Sequence, residues 1–209
     1  MKIGILGAGN IGGNLGRRWA ALGHSIRFGV RSPGELGTLV EECGNDTSAG
    51  DARSAAEHGE VIVIALPWGA VASVLPTLGD LTGKIVIDAT NALKWGAEGP
   101  EAAVDTSGAE KVAEMCPGAL VVKAFNTLGA EHIMSPRIGG MAADVFLCAD
   151  DAGARETVKK LAEEIGFETV NLGPLKHARL AESIAIAWIY LAMKGGMGRN
   201  VAFKLLRRD

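Results

Sequence analysis

The chain has 209 residues, of which 48% are hydrophobic and 22% charged, and a formal net charge of −3 at pH 7. This length allows one domain with a full core, or one domain with an appendage. The slight acidity and the lack of a long basic run exclude nucleic acid and anionic membrane surfaces as expected partners. Cys43, Cys116 and Cys148 are scattered and odd in number. We therefore expect reduced thiols in a cytoplasmic protein, with no metal site.

The amino terminus begins with an apolar run at residues 2–6, and no signal peptide is expected before it. Gly7-Ala8-Gly9-Asn10-Ile11-Gly12 follows, and an amphipathic helix is predicted over 14–22. A G-x-G-x-x-G turn between a strand and a helix is typical of a dinucleotide site. The first glycine permits the tight turn, the second lets the pyrophosphate approach the backbone, and the third lets helix and strand pack closely. The alternative is a glycine-rich turn without a ligand. The candidate cofactor-binding residues here are Gly7, Gly9, Asn10, Ile11 and Gly12.

The second predicted strand covers residues 25–30, and Arg31 and Ser32 follow it directly. NAD-binding proteins carry an acidic residue near this position, where it accepts hydrogen bonds from the ribose 2′-OH. A guanidinium suits a 2′-phosphate instead, and a hydroxyl adds a further hydrogen bond. The pair therefore predicts NADP(H) as the cofactor. The alternative for Arg31 is a solvated loop cation.

The rest of the chain alternates between apolar runs and helical patterns. Continuous β-branched runs indicate strands that are covered on both faces. The repeated β-α-β order predicts an α/β fold with a doubly wound, mainly parallel sheet. We expect a nucleotide-binding domain over residues 1–172 and a C-terminal helical segment over 173–209. Strands are predicted over 61–65, 84–88, 120–124, 144–148 and 168–172, and helices over 33–42, 51–58, 70–78, 152–165 and 176–194.

The last predicted helix is apolar on nearly every face between Ser183 and Met193. Such a helix has to be covered all round, by its own domain, by a second subunit or by a cofactor ring. A homodimer is the favoured hypothesis. This stretch is too short to span a bilayer.

In an open parallel sheet, ligands bind beyond the carboxyl ends of the strands. Several residues lie there that could either contact a ligand or serve a structural role. A proline and a tryptophan could direct the chain and offer an apolar face, or simply begin a helix. Asn91 could bind the nicotinamide or close a turn. The candidates at this edge are Leu66, Pro67, Trp68, Asn91, Ala92, Asn126 and Thr127.

No acid/base pair is evident at this edge. Lys123 and Asn126 are the only candidates, and Lys123 is expected to be a strand-end lysine paired with a carboxylate more often than a catalytic group. Reduction of a ketone needs a proton donor, whereas hydride transfer to a flavin-type ring mainly needs alignment of the two rings. The catalytic residues therefore stay unassigned, and a flavin-type acceptor is favoured.

Five segments together resemble the NADPH-dependent oxidoreductases of the coenzyme F-420 (deazaflavin) type, and also the cytosolic reductase domain of the STEAP metalloreductases. The resemblance implies a Rossmann domain with a small C-terminal helical part. It implies NADP(H) on the glycine turn and on Arg31 and Ser32, and coenzyme F-420, FMN or FAD as the small-molecule hydride acceptor. The segments are 3–12, 29–32, 65–68, 123–127 and 173–175.

Two other functions remain open. Reductases of small imines or keto acids share the N-terminal half, but they need a long helical substrate domain, and only about 35 residues follow the last predicted strand here. A non-catalytic NADP sensor is the third possibility, because fold alone does not establish function.

Overall fold

The computed structural model describes residues 1–44 and 46–208. Within these ranges the strands are β1 Lys2–Leu6, β2 Ser25–Gly29, β3 Thr47–Gly50, β4 Val61–Ile64, β5 Ile85–Asp88, β6 Leu93–Trp95, β7 Pro100–Ala102, β8 Leu120–Lys123, β9 Arg137–Ile138, β10 Met141–Ala142, β11 Asp144–Ala149 and β12 Glu168–Gly173. The helices are α1 Asn10–Ala21, α2 Gly37–Cys43, α3 Ala52–His58, α4 Trp68–Val74, α5 Gly108–Met115, α6 Glu131–Met134, α7 Ala152–Ile165 and α8 Ala178–Met193.

Eight of these strands form one sheet, in the order β12-β11-β8-β5-β4-β1-β2-β3. The six strands from β3 to β8 are parallel, β11 is antiparallel to β8, and β12 is parallel to β11. The prediction of a doubly wound, mainly parallel sheet is confirmed. The chain builds outward from β1 in one direction and from β4 in the other. The β1/β4 junction is therefore the switch point at which such folds bind ligands.

Both faces of the sheet are buried, which explains the continuous apolar runs. In β4, Val61 and Val63 belong to one core and Ile62 and Ile64 to the other. Side chains of α1, α2 and α7 complete the first core, and side chains of α3, α4, α5 and α8 complete the second. Because successive side chains of a strand point to opposite faces, a strand between two helical layers needs no polar position.

The structure differs from the sequence prediction in several local elements. Helix α1 begins at Asn10, four residues earlier than predicted, because the glycine motif itself forms its first turn. Strand β3, helix α5 and the small ribbons β6–β7 and β9–β10 were not predicted. Strand β3 is polar and only half-buried at the sheet edge, so it lacks the apolar alternation that indicates a strand.

The C-terminal segment consists of α8 and a tail that returns to the sheet. On α8, Ala181 and Trp188 face inward, whereas Tyr190 and Met193 are about half exposed, at 48% and 58%. The Trp188 indole donates a 2.6 Å hydrogen bond to the carbonyl of Val201. Further along the tail, the carbonyl of Phe203 accepts a 3.1 Å hydrogen bond from the Asp144 amide, which anchors the tail at the start of β11. The helical extension is confirmed, while the proposed domain boundary at 172/173 stays a prediction.

Candidate functional site

The turn between β1 and α1 places its three motif glycines in different surroundings. Gly7 has a φ of +94°, and its amide donates a 3.0 Å hydrogen bond to the carbonyl of Gly29 in β2. A Cβ on Gly12 would overlap the Gly7 carbonyl oxygen and come within 3.0 Å of the Ile5 side chain. A Cβ on Gly9 would meet no protein atom within 4 Å. Gly7 and Gly12 are thus required by the fold of the turn, whereas Gly9 leaves open the space in front of the turn.

Gly9 is also the N-cap of α1, and its neighbour Asn10 is exposed while Ile11 is half-buried. The first amides of a helix have no intrahelical partner, and the positive end of the helix dipole lies with them. No acidic residue occupies the first turn. The beginning of α1 is therefore suited to a phosphate.

Arg31 and Ser32 lie just beyond the end of β2, and both are exposed. The Arg31 guanidinium has no hydrogen-bond or ion-pair partner among residues 1–44 and 46–208. Several other arginines are paired, for example Arg17, which binds the Glu42 carboxylate at 2.7 Å. Arg31 is consequently free to bind an anion beside the glycine turn.

The β4–α4 connection borders the switch point on its other side. Leu66 is half-buried, Pro67 is exposed as the N-cap of α4, and Trp68 is half-buried. The Trp68 ring packs at the start of α5, where it would lie 3.2 Å from a Cβ placed on Gly108. Trp68 thus has a packing role in addition to the apolar face expected from the sequence.

Asn91 and Asn126 form a reciprocal pair across the ends of β5 and β8. The Asn91 side-chain amide donates to the Asn126 carbonyl at 3.1 Å, and the Asn126 side-chain amide donates to Asn91 Oδ1 at 3.2 Å. Asn126 also donates to the carbonyl of Ala181 in α8 at 3.3 Å. The pair joins two loops of the sheet edge to the C-terminal helix, with Ala92 buried beside it.

Phe125 holds Asn126 in place through an unusual backbone. Its φ of +63° lies in the left-handed region, which costs a residue with a side chain about 1–3 kcal/mol. Its ring packs edge-on against Trp19 and Phe167, with centroid distances of 5.8 and 6.4 Å. Aromatic packing therefore stabilises the conformation that turns the chain toward the sheet edge.

Polar atoms beside this pair are buried without a partner. Asn126 Oδ1, Thr127 Oγ1 and Thr90 Oγ1 make no hydrogen bond with any residue that the structure describes. A buried polar group without a partner costs about 1–3 kcal/mol, and these three atoms belong to the loops that follow β5 and β8, where a bound polar group could satisfy them.

Lys123 lies at the same edge but is fully buried. Its ammonium contacts Asp88 Oδ2 at 2.8 Å, Glu182 Oε1 at 2.9 Å and the Thr90 carbonyl at 2.7 Å. Burial opposes the charge, but the two carboxylates raise the pKa of Lys123 above its ordinary value. Lys123 is thus a charged structural lysine paired with carboxylates, as the sequence favoured, and all three of its donors are engaged.

Comparison with known proteins identifies the family. A solved structure of a candidate F420-dependent NADP reductase from Arthrobacter sp. FB24 superposes with a TM-score of 0.90 at 30% identity, covering 99% of this chain and all of the other. The sequence model of the family described as NADP oxidoreductase, coenzyme F420-dependent, matches residues 2–92. The chain belongs to this family. The resemblance inferred from the sequence is confirmed, and so is membership of a family of NADP-dependent oxidoreductases.

Two longer proteins are also similar to this chain over part of their length. Metalloreductase STEAP3 of Rattus norvegicus is 32% identical over 186 residues, and this chain spans 36% of its length. An Aspergillus terreus reductive aminase, solved with NADPH and ethyl levulinate, shares the fold alone, with a TM-score of 0.69 at 18% identity over 62% of its chain. Among the described residues, no helix is both long and apolar enough to cross a membrane.

Sequence reasoning missed two members of the Lys123 cluster, Asp88 and Glu182. Glu182 stands directly before the apolar stretch at 183–193, and it is the one carboxylate of α8. It also accepts hydrogen bonds from the Gly108 amide at 2.9 and 3.1 Å, so it ties α8 to the start of α5. A carboxylate at the edge of a long apolar stretch was the available signal, because a charge in such surroundings needs a buried partner.

Proposed function

We propose that this chain transfers hydride between the nicotinamide of NADP(H) and a flavin or deazaflavin acceptor of the F420 type. The observation that supports this most is the hydrogen bonding of Lys123, a buried cation at the sheet edge. Lys123 donates to three acceptors, so it has no proton donor to spare for a carbonyl or imine substrate. Hydride transfer between two rings needs alignment and no such donor.

The described residues fit NADP(H) at three points. The amides after Gly9 would hold the pyrophosphate, and Arg31 with Ser32 would bind the 2′-phosphate. The unpartnered oxygens near Asn126 and Thr127 would accept and donate hydrogen bonds at the nicotinamide side. When bound, the nicotinamide supplies or accepts the hydride. The complete proposed set is Gly7, Gly9, Asn10, Ile11, Gly12, Arg31, Ser32, Leu66, Pro67, Trp68, Asn91, Ala92, Asn126 and Thr127.

The surface beyond Asn91 supports a flat apolar acceptor. The β6–β7 ribbon begins two residues after Asn91 and carries Trp95, which is 60% exposed. Its turn packs near Tyr190 of α8, because a Cβ on Gly99 would lie 3.7 Å from the Tyr190 ring. Exposed aromatic side chains next to the nicotinamide side suit a tricyclic ring, whose face is apolar and whose edge is polar.

A homodimer forms part of the proposal. Leu180 and Met193 on α8 are each about half exposed, at 49% and 58%. A second subunit would remove these side chains from water. Light scattering at micromolar concentration would detect a dimer, and a monomer at that concentration would reject this part of the proposal.

The acceptor is tested by mixing the protein with NADPH and one acceptor at a time, and following the loss of nicotinamide absorbance. We expect turnover with deazaflavin coenzyme, FMN or FAD, and with ferric citrate only when a flavin is present. The Arg31→Asp variant serves as the control, since it should lose turnover at low NADPH. Tight NADPH binding without turnover on any acceptor would favour a sensor instead. Turnover restricted to small imines or keto acids would favour the alternative reductase class.

A further inference from the structure

The Asp88–Lys123–Glu182 cluster contains two carboxylates and one ammonium. Asp88 and Lys123 are completely buried, and Glu182 is 7% exposed. Every polar contact to the carboxylates brings a donor: the Lys123 ammonium to both, the Thr90 amide to Asp88 at 2.9 Å, and the Gly108 amide to Glu182. This is the pattern of two ionised carboxylates, because a protonated carboxyl would need an acceptor of its own.

The cluster is therefore negative overall, by one charge. No second cationic side chain contacts Asp88 or Glu182 in the part of the chain that the structure describes. A net charge inside a protein acts over a longer range than one in water, because the effective dielectric is lower and salt does not screen it.

The position of this charge is defined by backbone connections. Asp88 and Lys123 end the two strands whose following loops carry Asn91 and Asn126. Asn126 donates to the carbonyl of Ala181, the residue before Glu182. The negative charge is thus joined to the asparagine pair through three short backbone segments, at the sheet edge where the proposed function places the nicotinamide.

We propose that this buried negative charge favours the oxidised, positively charged nicotinamide over the neutral reduced ring, and so biases the enzyme toward hydride donation. The inference rests on the proposed function. When NADPH gives up hydride, two electrons and one proton leave together as H⁻, the neutral ring becomes a cation, and the acceptor gains the hydride with its negative charge. A fixed negative charge near that ring stabilises the product state and leaves the energy of the neutral ring almost unchanged.

The test is the ratio of the dissociation constants of NADP⁺ and NADPH, measured by calorimetry without any acceptor. In Glu182→Gln, the remaining carbonyl oxygen can still accept from Lys123 and Gly108, while the new amide nitrogen would replace the oxygen that accepts the longer 3.1 Å contact and would face the Gly108 amide as a second donor. We expect the preference for NADP⁺ over NADPH to fall about tenfold, because the substitution removes one buried negative charge from the nicotinamide side. For this two-electron couple, a tenfold change is about 30 mV in the potential of the bound cofactor.

Glu156→Gln on α7 is the matched control, because this exposed carboxylate pairs only with Lys159. The ratio should not change in this variant. An unchanged ratio in Glu182→Gln, or an equal change in both variants, overturns the inference while the proposed function stands. Failure of the wild-type protein to bind either nucleotide overturns both.

The wild-type protein gives a second measurement that does not depend on the folding of a variant. It should bind NADP⁺ more tightly than NADPH. Equal affinities, or tighter binding of NADPH, contradict the inference even if Glu182→Gln cannot be purified.

Discussion

Two glycines of the β1–α1 turn allow cofactor binding to be separated from folding. We predict that Gly9→Ala abolishes NADPH binding in a stable protein, whereas Gly12→Ala lowers stability as well. The reason is what each new methyl group would meet. At Gly9 it would have no protein atom within 4 Å, and at Gly12 it would overlap the Gly7 carbonyl and approach Ala65 Cβ to 3.1 Å.

The magnitudes follow from these surroundings. Overpacking costs about 1–3 kcal/mol, and each kcal/mol lowers the melting temperature of a chain this long by about 2–4 °C. Gly12→Ala should therefore melt about 4–8 °C below wild type for a cost near 2 kcal/mol. Gly9 has a φ of −72°, which alanine adopts freely, so its replacement should change stability by less than about 1 kcal/mol.

Thermal unfolding with and without NADPH measures both effects. At about 100 times the dissociation constant, a ligand adds about 2.7 kcal/mol of stability, which raises the melting temperature of wild type by about 5–10 °C. Gly9→Ala should melt near wild type without ligand and show no rise with it. If Gly9→Ala keeps the full rise, or if Gly12→Ala melts like wild type, the assigned roles of the two glycines are wrong.

Three further predictions concern charged and thiol groups. Arg31→Asp should weaken NADPH binding in calorimetry far more than NADH binding, because only NADPH carries the 2′-phosphate; equal losses would refute the NADP assignment. Lys123→Met should lower the free energy of unfolding in urea by about 3–5 kcal/mol, since it leaves two buried carboxylates unpaired, whereas Lys159→Met at the surface should change it by less than about 1 kcal/mol. Burial raises the pKa of Cys116 to about 11 and that of Cys148 to about 12, so both thiols should react with a thiolate-specific reagent at pH 8 only after unfolding; reaction of the native protein would contradict the burial.

The sequence predicted the elements that carry strong local signals. The first strand, its glycine turn and the following helix could be predicted because residues 2–21 determine them together. The β-branched run at 61–64 predicted a strand between two layers, because four consecutive apolar residues leave neither face of the strand polar. Strand β3 and the β6–β7 ribbon could not be predicted, because their segments are short and lack an apolar pattern. They form strands only through pairing with the adjacent strand.

The candidate site divides in the same way. The glycine turn and Arg31 are close in sequence and could be predicted from spacing. The Lys123–Glu182 pair joins residues 59 positions apart, and the Asn91–Asn126 pair joins residues 35 apart. Such contacts depend on how β5, β8 and α8 come together, which no local pattern in this chain records.

Phe125 links the aromatic interior to the nicotinamide side. A glycine would adopt its left-handed backbone without strain, but it could not fill the space between Trp19 and Phe167. The backbone at this position favours glycine and the core favours a large ring, and contact with Trp19 and Phe167 offsets the backbone strain. We expect Trp19→Leu, which removes the ring packed against Phe125, to let the main chain at Phe125 relax and to rotate the side-chain amide of Asn126. In the proposed site, nucleotide affinity would then depend on core residues that do not touch the nucleotide.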